Sequence, residues 1–285
     1  PLPGRSRGSV PMTLRILDNL QQGSEAWHDQ RRGMVTASVV GNLLSVGKLG
    51  AIGYGCPACS ALANDPCMSK KAGAGPIKTL HPERAKVADD NKASAPLVIE
   101  VANNETSRSL TKLLVAERLT GWTDPTFTSD DMYRGIEDEP RAREMYAEYY
   151  APVTEVGFMI RQQDGWTLGY SPDGLVGDDG LIEVKSRRAK KQLSTVLADS
   201  VPAENMPQLQ AALLVSGRKW IDYISFTGGM ALWVKRVYPD PLWFKAIEEA
   251  CRTFEHAAES MANTYLTRVD GLPLAERIVE MEMTL

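Results

Sequence analysis

The sequence predicts an α/β fold: a mixed central sheet flanked by helices, with a small cysteine-bearing insertion towards the N-terminal side. Three observations predict it. Segments of helical period, several opened by a capping residue or closed by a glycine, occupy residues 24–44, 107–121, 128–150, 204–217 and 241–266. Short apolar runs separated by turn formers occupy 155–186 and 220–238. Between the first two helical segments, residues 48–95 lose hydrophobic periodicity and become rich in Gly, Ala, Pro and Lys.

Composition sets the outer bounds. The chain has 285 residues, 43% of them hydrophobic, enough for one large core or two small ones. Charged residues make up 24% and the net charge is -4, which does not advertise nucleic-acid binding but leaves room for a local basic channel. No apolar run approaches the ~18 residues of a membrane span, and no apolar signal-peptide core is visible. Residues 1–11 (PLPGRSRGSVP) read as a vector scar or disordered leader, with Met12 the expected start. Residues 12–285 then read as one domain carrying the insertion at 48–95.

Taken in order, Ser24 is the expected N-cap of a helix over 25–32, and Ser38 the expected cap of a second through Leu44. In the insertion, Cys56-Pro57-Ala58-Cys59 is followed by Cys67 and then His81-Pro82-Glu83-Arg84. Three thiolates and an imidazole suit a closed tetrahedral Zn²⁺ site that staples a loop too poor in apolar residues to fold alone. Three reduced cysteines in a loop, with His81 unrelated, and a redox Cys-x-x-Cys remain alternatives. The helix ending at Gly121 reads as a packing element. In the acidic helix over 128–150, Pro140 predicts a start or kink, and Glu137 and Asp138 read as a solvated face. Glu155–Ile160 and Trp166–Tyr170, joined through Asp164-Gly165, read as a hairpin that continues into the next one as a three-strand meander.

That next hairpin carries the chemistry. Gly169–Val176 and Leu181–Ser186 flank Gly177-Asp178-Asp179-Gly180, a cluster of turn formers. Glu183 and Lys185 are two apart and share one face; Ile182 and Val184 take the other, towards the core. The Pro172-Asp173-Gly174 bend brings the Asp173 carboxylate towards Glu183. Two acids and a lysine on one face suit metal-assisted phosphodiester hydrolysis: the carboxylates offer hard oxygens to Mg²⁺ or Mn²⁺, and the lysine orients water or meets developing charge. Four positive charges follow in five residues (Arg187, Arg188, Lys190, Lys191), read either as a backbone-contact strip or as a solvated helix start. Cys251 reads as a buried small hydrophobe in the last helix.

The Ser-Pro-Asp-Gly hairpin with its Glu-x-Lys strand resembles the PD-(D/E)xK nuclease core, which is restriction-endonuclease-like. Within that group it resembles the phage-type recombination exonucleases (lambda exonuclease or YqaJ family). Trp27-His28-Asp29-Gln30-Arg31-Arg32-Gly33-Met34-Val35-Thr36-Ala37-Ser38 resembles the family's N-terminal motif. By that resemblance Arg31 and Ser38, with Ser171, hold DNA phosphate near the 5′ end. A guanidinium is also a natural bidentate phosphate partner, and a helix N-terminus offers free N–H groups. The Gly135…Glu139…Ala142-Arg143…Tyr146 spacing resembles the helix that supplies a further acid, here Glu139. Gln208-Leu209-Gln210 resembles the family's glutamine motif, with Gln208 at the site. The cysteine segment looks like a Cys₃His zinc motif of phage and actinobacterial proteins.

The resemblance implies a Mg²⁺-dependent 5′→3′ exonuclease on linear double-stranded DNA. It would leave 3′ single strands for an annealing protein, in the cytoplasm of a bacterial host, from a phage or prophage gene. A homotrimer is carried over by analogy. The rival readings are a nuclease of the same fold acting on single strands or internal sites, and a catalytically silent zinc-containing DNA-binding module.

Overall fold

Most element boundaries fall where local signals put them. The computed structural model describes residues 13–71, 73–125 and 129–277, so the expected leader and Met12 lie outside the described residues. Strand β1 is Thr13–Leu17 and helix α1 is Glu25–Arg31; the Ser24 side chain accepts the Trp27 N–H, as a cap should. Ser38 does not cap a helix. A single 3-10 turn, Val40–Leu43, opens without a side-chain cap, and strand β2, Leu44–Lys48, follows at once. The Ser38 hydroxyl is instead within 3.0 Å of Thr36 Oγ1. The partner of β2 is β3, Leu97–Val101, paired antiparallel from Leu44↔Val101 to Lys48↔Leu97. The cysteine segment thus lies between two paired strands, with helix α2, Pro82–Asp90, inside it.

Helix α3, Glu105–Thr120, opens on an Asn104/Ser107 capping box and stops at Gly121, φ 63°. Helix α4, Asp130–Tyr149, is capped by Ser129 and runs through Pro140, where it neither starts nor ends. Strands β4 (Phe158–Gln163) and β5 (Trp166–Tyr170) form the expected hairpin; Asp164 and Gly165 both take positive φ. Strands β6 (Gly174–Val176) and β7 (Gly180–Ser186) form the second. Helices α5 (Ala189–Ala198) and α6 (Met206–Ser216), strands β8 (Trp220–Phe226) and β9 (Trp233–Val237), and helix α7 (Pro241–Arg268) complete the described chain.

The meander is split. β4 and β5 join β1 in one antiparallel sheet, while β6-β7-β8-β9 form a second, mixed sheet whose central β7–β8 pair is parallel. The reason is that β5 has no free edge for β6. Residues 35–37 occupy it: Thr36 bridges Gly169 in parallel, the Ala37 N–H donates to Gly169 O at 2.8 Å, and Gly169 N–H donates to Val35 O at 3.0 Å. A side chain at 169 would collide with Phe158 and Met34, so glycine permits the docking.

Both faces of the mixed sheet are covered. Leu181, Ile221 and Tyr223 belong to the main core with helices α3, α6 and α7. Ile182, Val184 and Ile224 pack with Ala142 and Tyr146 of α4 in a smaller cluster. Cys251 is fully buried in the main core, and burial, with Glu255 next, pushes its thiol up to about 12.

Candidate functional site

The acidic end of the site is made by the bend between β5 and β6. Pro172 lacks an N–H, and Gly174 lies where a Cβ would strike Val153 and Ile182. Asp173 between them turns its carboxylate under β7, where Oδ2 accepts the Val184 N–H at 2.7 Å. Glu183 is 2% exposed. Its Oε1 accepts from Lys185 Nζ at 2.8 Å and from Gln208 Nε2, and its Oε2 accepts from the Tyr170 hydroxyl at 3.3 Å. Glu139 arrives from α4, with Arg143 donating to it at 2.6 Å. Asp173, Glu183, Glu139, Lys185 and Gln208 line one cavity of about 220 Å³, and so do Arg31, Ser38 and Ser171.

Electrostatics differ between the two ends of this cavity. Burial, then the charges of Glu183 and Glu139, push the Asp173 carboxyl well above the usual range. Burial also raises Glu139, against the pull of Arg143. Desolvation works against the Lys185 ammonium, yet Glu183 and Asp173 outweigh it and hold it charged. Burial keeps the Tyr170 phenol protonated and hence a donor. Three carboxylates that resist each other's charge and offer only hard oxygens fit a divalent Mg²⁺ or Mn²⁺.

At the other end the first helix supplies a cation. The Arg31 guanidinium stacks 3.9 Å over the Trp27 ring and lies 3.5 Å from both Ser171 Oγ and Ser38 Oγ. Burial lowers it to about 10, so it stays charged at neutral pH. Among the described residues no carboxylate reaches ion-pair distance of it. The loop after α1 is clamped by helix α3, which sequence reasoning read as packing alone. Glu117 accepts the Gly33 N–H at 2.7 Å, and Arg118 Nε donates to Gly33 O at 2.6 Å while its two Nη atoms bind Glu255. Gly33 has φ 65°, and a Cβ there would meet the Arg118 side chain.

The basic run is not gathered into this cavity. Arg187 turns inward, donating to Asn205 Oδ1 at 2.6 Å and to the Tyr223 hydroxyl at 2.8 Å. Arg188 is exposed and paired with Asp131. Asp138 also departs from its reading as a solvated acid: it is 7% exposed and accepts from Ser186 Oγ at 2.7 Å, tying α4 to β7. Glu137 stays exposed. Tyr170 and Thr36 line the cavity without having been singled out. Their signal was weak, since a Tyr at a strand end and a Thr in a loop have many other uses.

The second centre lies in the cysteine segment. Cys56, Cys59, Cys67 and His81 bring one ligand atom each within 4.8 Å of one another, and Cys56 Sγ is 3.4 Å from His81 Nδ1. Tetrahedral zinc with Zn–S bonds of about 2.3 Å spaces its sulfurs by about 3.8 Å, so the set fits. His81 joins the thiols rather than standing apart. Burial acts to raise the Cys67 thiol, but the backbone N–H of His81, the Arg84 guanidinium and the neighbouring Cys56 and Cys59 thiols outweigh it and hold it at about 6. Arg84 is fully buried. It donates to the carbonyls of Ala51, Ile52, Tyr54, Leu62 and Asp65, and lies 3.5 Å from Cys67 Sγ.

Comparison with known proteins gives two family matches. Residues 93–219 match the model of the YqaJ-like viral recombinase domain. This chain contains a YqaJ-like domain. Residues 22–99 match a phage zinc finger domain whose description puts forward DNA binding, and the Cys₃His cluster falls inside that match. No curated protein matches significantly. Among solved structures, an alkaline exonuclease from Laribacter hongkongensis is 25% identical, with a TM-score of 0.60 over 88% of this chain and 100% of that one. Its complex with dAMP matches at 24% identity and the same TM-score, 0.60. A phage-related exonuclease from Haemophilus somnus is 12% identical, at a TM-score of 0.43, over 80% of this chain and 96% of its own. The YqaJ-like domain thus lies in an α/β fold similar to that of the alkaline exonuclease. No described helix is long and apolar enough to cross a membrane.

Proposed function

We propose that this protein is a Mg²⁺-dependent 5′→3′ exonuclease on linear double-stranded DNA, leaving 3′ single strands for an annealing protein in phage-type recombination. The observation that carries this reading is the shared cavity: an acidic cluster at one end and the Arg31 guanidinium with two hydroxyls at the other. Asp173, Glu183 and Glu139 would hold the metal, which supplies Lewis acidity towards a phosphoryl oxygen and towards water. Lys185, fixed on Glu183, would donate to the water oxygen and orient it, or meet charge on the phosphoryl oxygen. Gln208 keeps Glu183 oriented from α6. Water oxygen adds to phosphorus, the bond to the 3′ oxygen breaks, and that oxygen takes a proton. Arg31, Ser38 and Ser171 would hold the 5′-terminal phosphate one nucleotide away, which fixes both polarity and step size. Arg188 would contact the backbone only by exchanging Asp131 for a phosphate.

The structural zinc, held by Cys56, Cys59, Cys67 and His81, would order the segment between β2 and β3. Action in the cytoplasm of a bacterial host and assembly as a trimer belong to the same reading; sedimentation tests the trimer. Digestion of end-labelled duplexes tests the activity. Mg²⁺ is expected to release nucleotides from the 5′ end of a linear duplex, and EDTA and a closed circle to give none. Equal cutting of linear and circular DNA points to the internal-site rival. Digestion of single strands alone points to the other nuclease reading.

A further inference from the structure

We propose that Trp27 is the positioning residue that makes the site discriminate a 5′-phosphate from a 5′-hydroxyl, by fixing the direction in which Ser171 donates its proton. The inference rests on the terminal-phosphate reading above. An indole nitrogen can only donate, and Trp27 Nε1 lies 2.8 Å from Ser171 Oγ. That bond takes one Ser171 lone pair, and Arg31 Nη1, 3.5 Å away, faces the same oxygen from the cavity side. A hydroxyl has two lone pairs and one proton. With its acceptor sites turned to two donors, Ser171 is left to donate, and Ser171 lines the cavity. A terminal phosphate only accepts and carries charge, so it gains most from fixed donors; a terminal hydroxyl is neutral and can donate its own proton instead.

Trp27 acts on the cation as well. Its ring is 9% exposed and carries the Arg31 guanidinium on its face at 3.9 Å, so one side chain sets both phosphate partners. The third phosphate partner is the Ser38 hydroxyl, which is tied to Thr36 at 3.0 Å rather than to Trp27, so phosphate binding does not vanish when the indole N–H is removed.

Trp27→Phe keeps an aromatic face for Arg31 and removes only the donor. The test is fluorescence polarisation of the full chain with labelled duplexes bearing 5′-phosphate or 5′-hydroxyl, in Mg²⁺-free buffer so that nothing is cut. The wild-type protein is expected to prefer the phosphate, and Trp27→Phe to lose about tenfold of that preference with hydroxyl-end binding unchanged. In a Ser171→Ala background the same substitution is expected to change the ratio less than twofold, an outcome that mere loss of packing would not give. An undiminished preference in Trp27→Phe overturns the inference and leaves the phosphate pocket standing. An equal loss in the Ser171→Ala background also overturns it. A wild-type protein without any preference overturns the pocket reading and this inference together.

Discussion

The two centres of this molecule bury opposite charges by opposite means. In the YqaJ-like half, apolar helices cover both faces of the mixed sheet, and the core is secure enough to hold Asp173, Glu183 and Glu139 in mutual repulsion. In the cysteine segment between β2 and β3, the largest fully buried side chain is a cation, Arg84, and its environment is five backbone carbonyls. One half folds by burial and can spend stability on a strained acidic site. The other has few apolar residues for that and satisfies its polar groups around an arginine, beside a Cys₃His set that fits zinc.

Removal of zinc is expected to separate the two regions most sharply. Chelation, or Cys56→Ser, is expected to unfold the segment between β2 and β3 while the sheets and α7 stay folded. Zinc sites of this kind hold about 10–16 kcal/mol of apparent binding free energy, which is that segment's folding energy. Hydrogen exchange checks it: loss of protection throughout the chain would mean that the halves are not separable.

Next in size is Asp173→Asn. It keeps an acceptor for the Val184 N–H but is expected to lower cleavage at least a thousandfold with DNA binding retained, about 4 kcal/mol of lost barrier stabilisation. It also has a pH signature. A carboxyl raised in the fold binds its proton where the unfolded chain, near pH 4, has released it. Stability in Mg²⁺-free buffer is therefore complete below the unfolded value and falls as pH rises towards the folded one. Asp173→Asn is expected to flatten that fall in melting temperature; an unchanged slope would show that the acids are not in conflict.

Arg84→Met is expected to cost the cysteine segment about 3–5 kcal/mol by orphaning its carbonyls. The readout is faster zinc transfer to a competing chelator, with the melting of the YqaJ-like half unmoved. The smallest effect is expected from Tyr170→Phe, which removes only the hydroxyl on Glu183. Outer contacts of this kind tune metal affinity by about 10–100-fold, and a Mg²⁺ titration of cleavage should shift towards the lower figure because the bond is 3.3 Å long.

Much of the catalytic half was legible along the chain. The turn formers 177–180, the Pro-Asp-Gly bend and the Glu-x-Lys alternation are local signals, and each acts over a few residues. The Cys-Pro-Ala-Cys turn and the later cysteine and histidine were equally plain, whereas Arg84, quoted in that motif, gave no sign that it would be the segment's centre. Strands β2 and β3 were missed because their pairing closes across the whole cysteine segment. The three-strand meander failed because residues 35–37 claimed the edge of β5 first. Arg187 was drawn inward by Asn205 and Tyr223, neither of which is its neighbour in sequence.

By itself the sequence determined where strands turn, which helices are capped, and which acids, thiols and imidazole can do chemistry. Those choices follow from backbone sterics and side-chain inventory within a turn or two. Only the tertiary structure decided that Trp27 would meet Ser171 across 144 positions, that Glu117 and Arg118 would hold Gly33, and that five carbonyls would converge on one guanidinium. Such meetings depend on which sheet edges are left open and which buried polar groups still lack a partner, and both are settled only when distant segments pack.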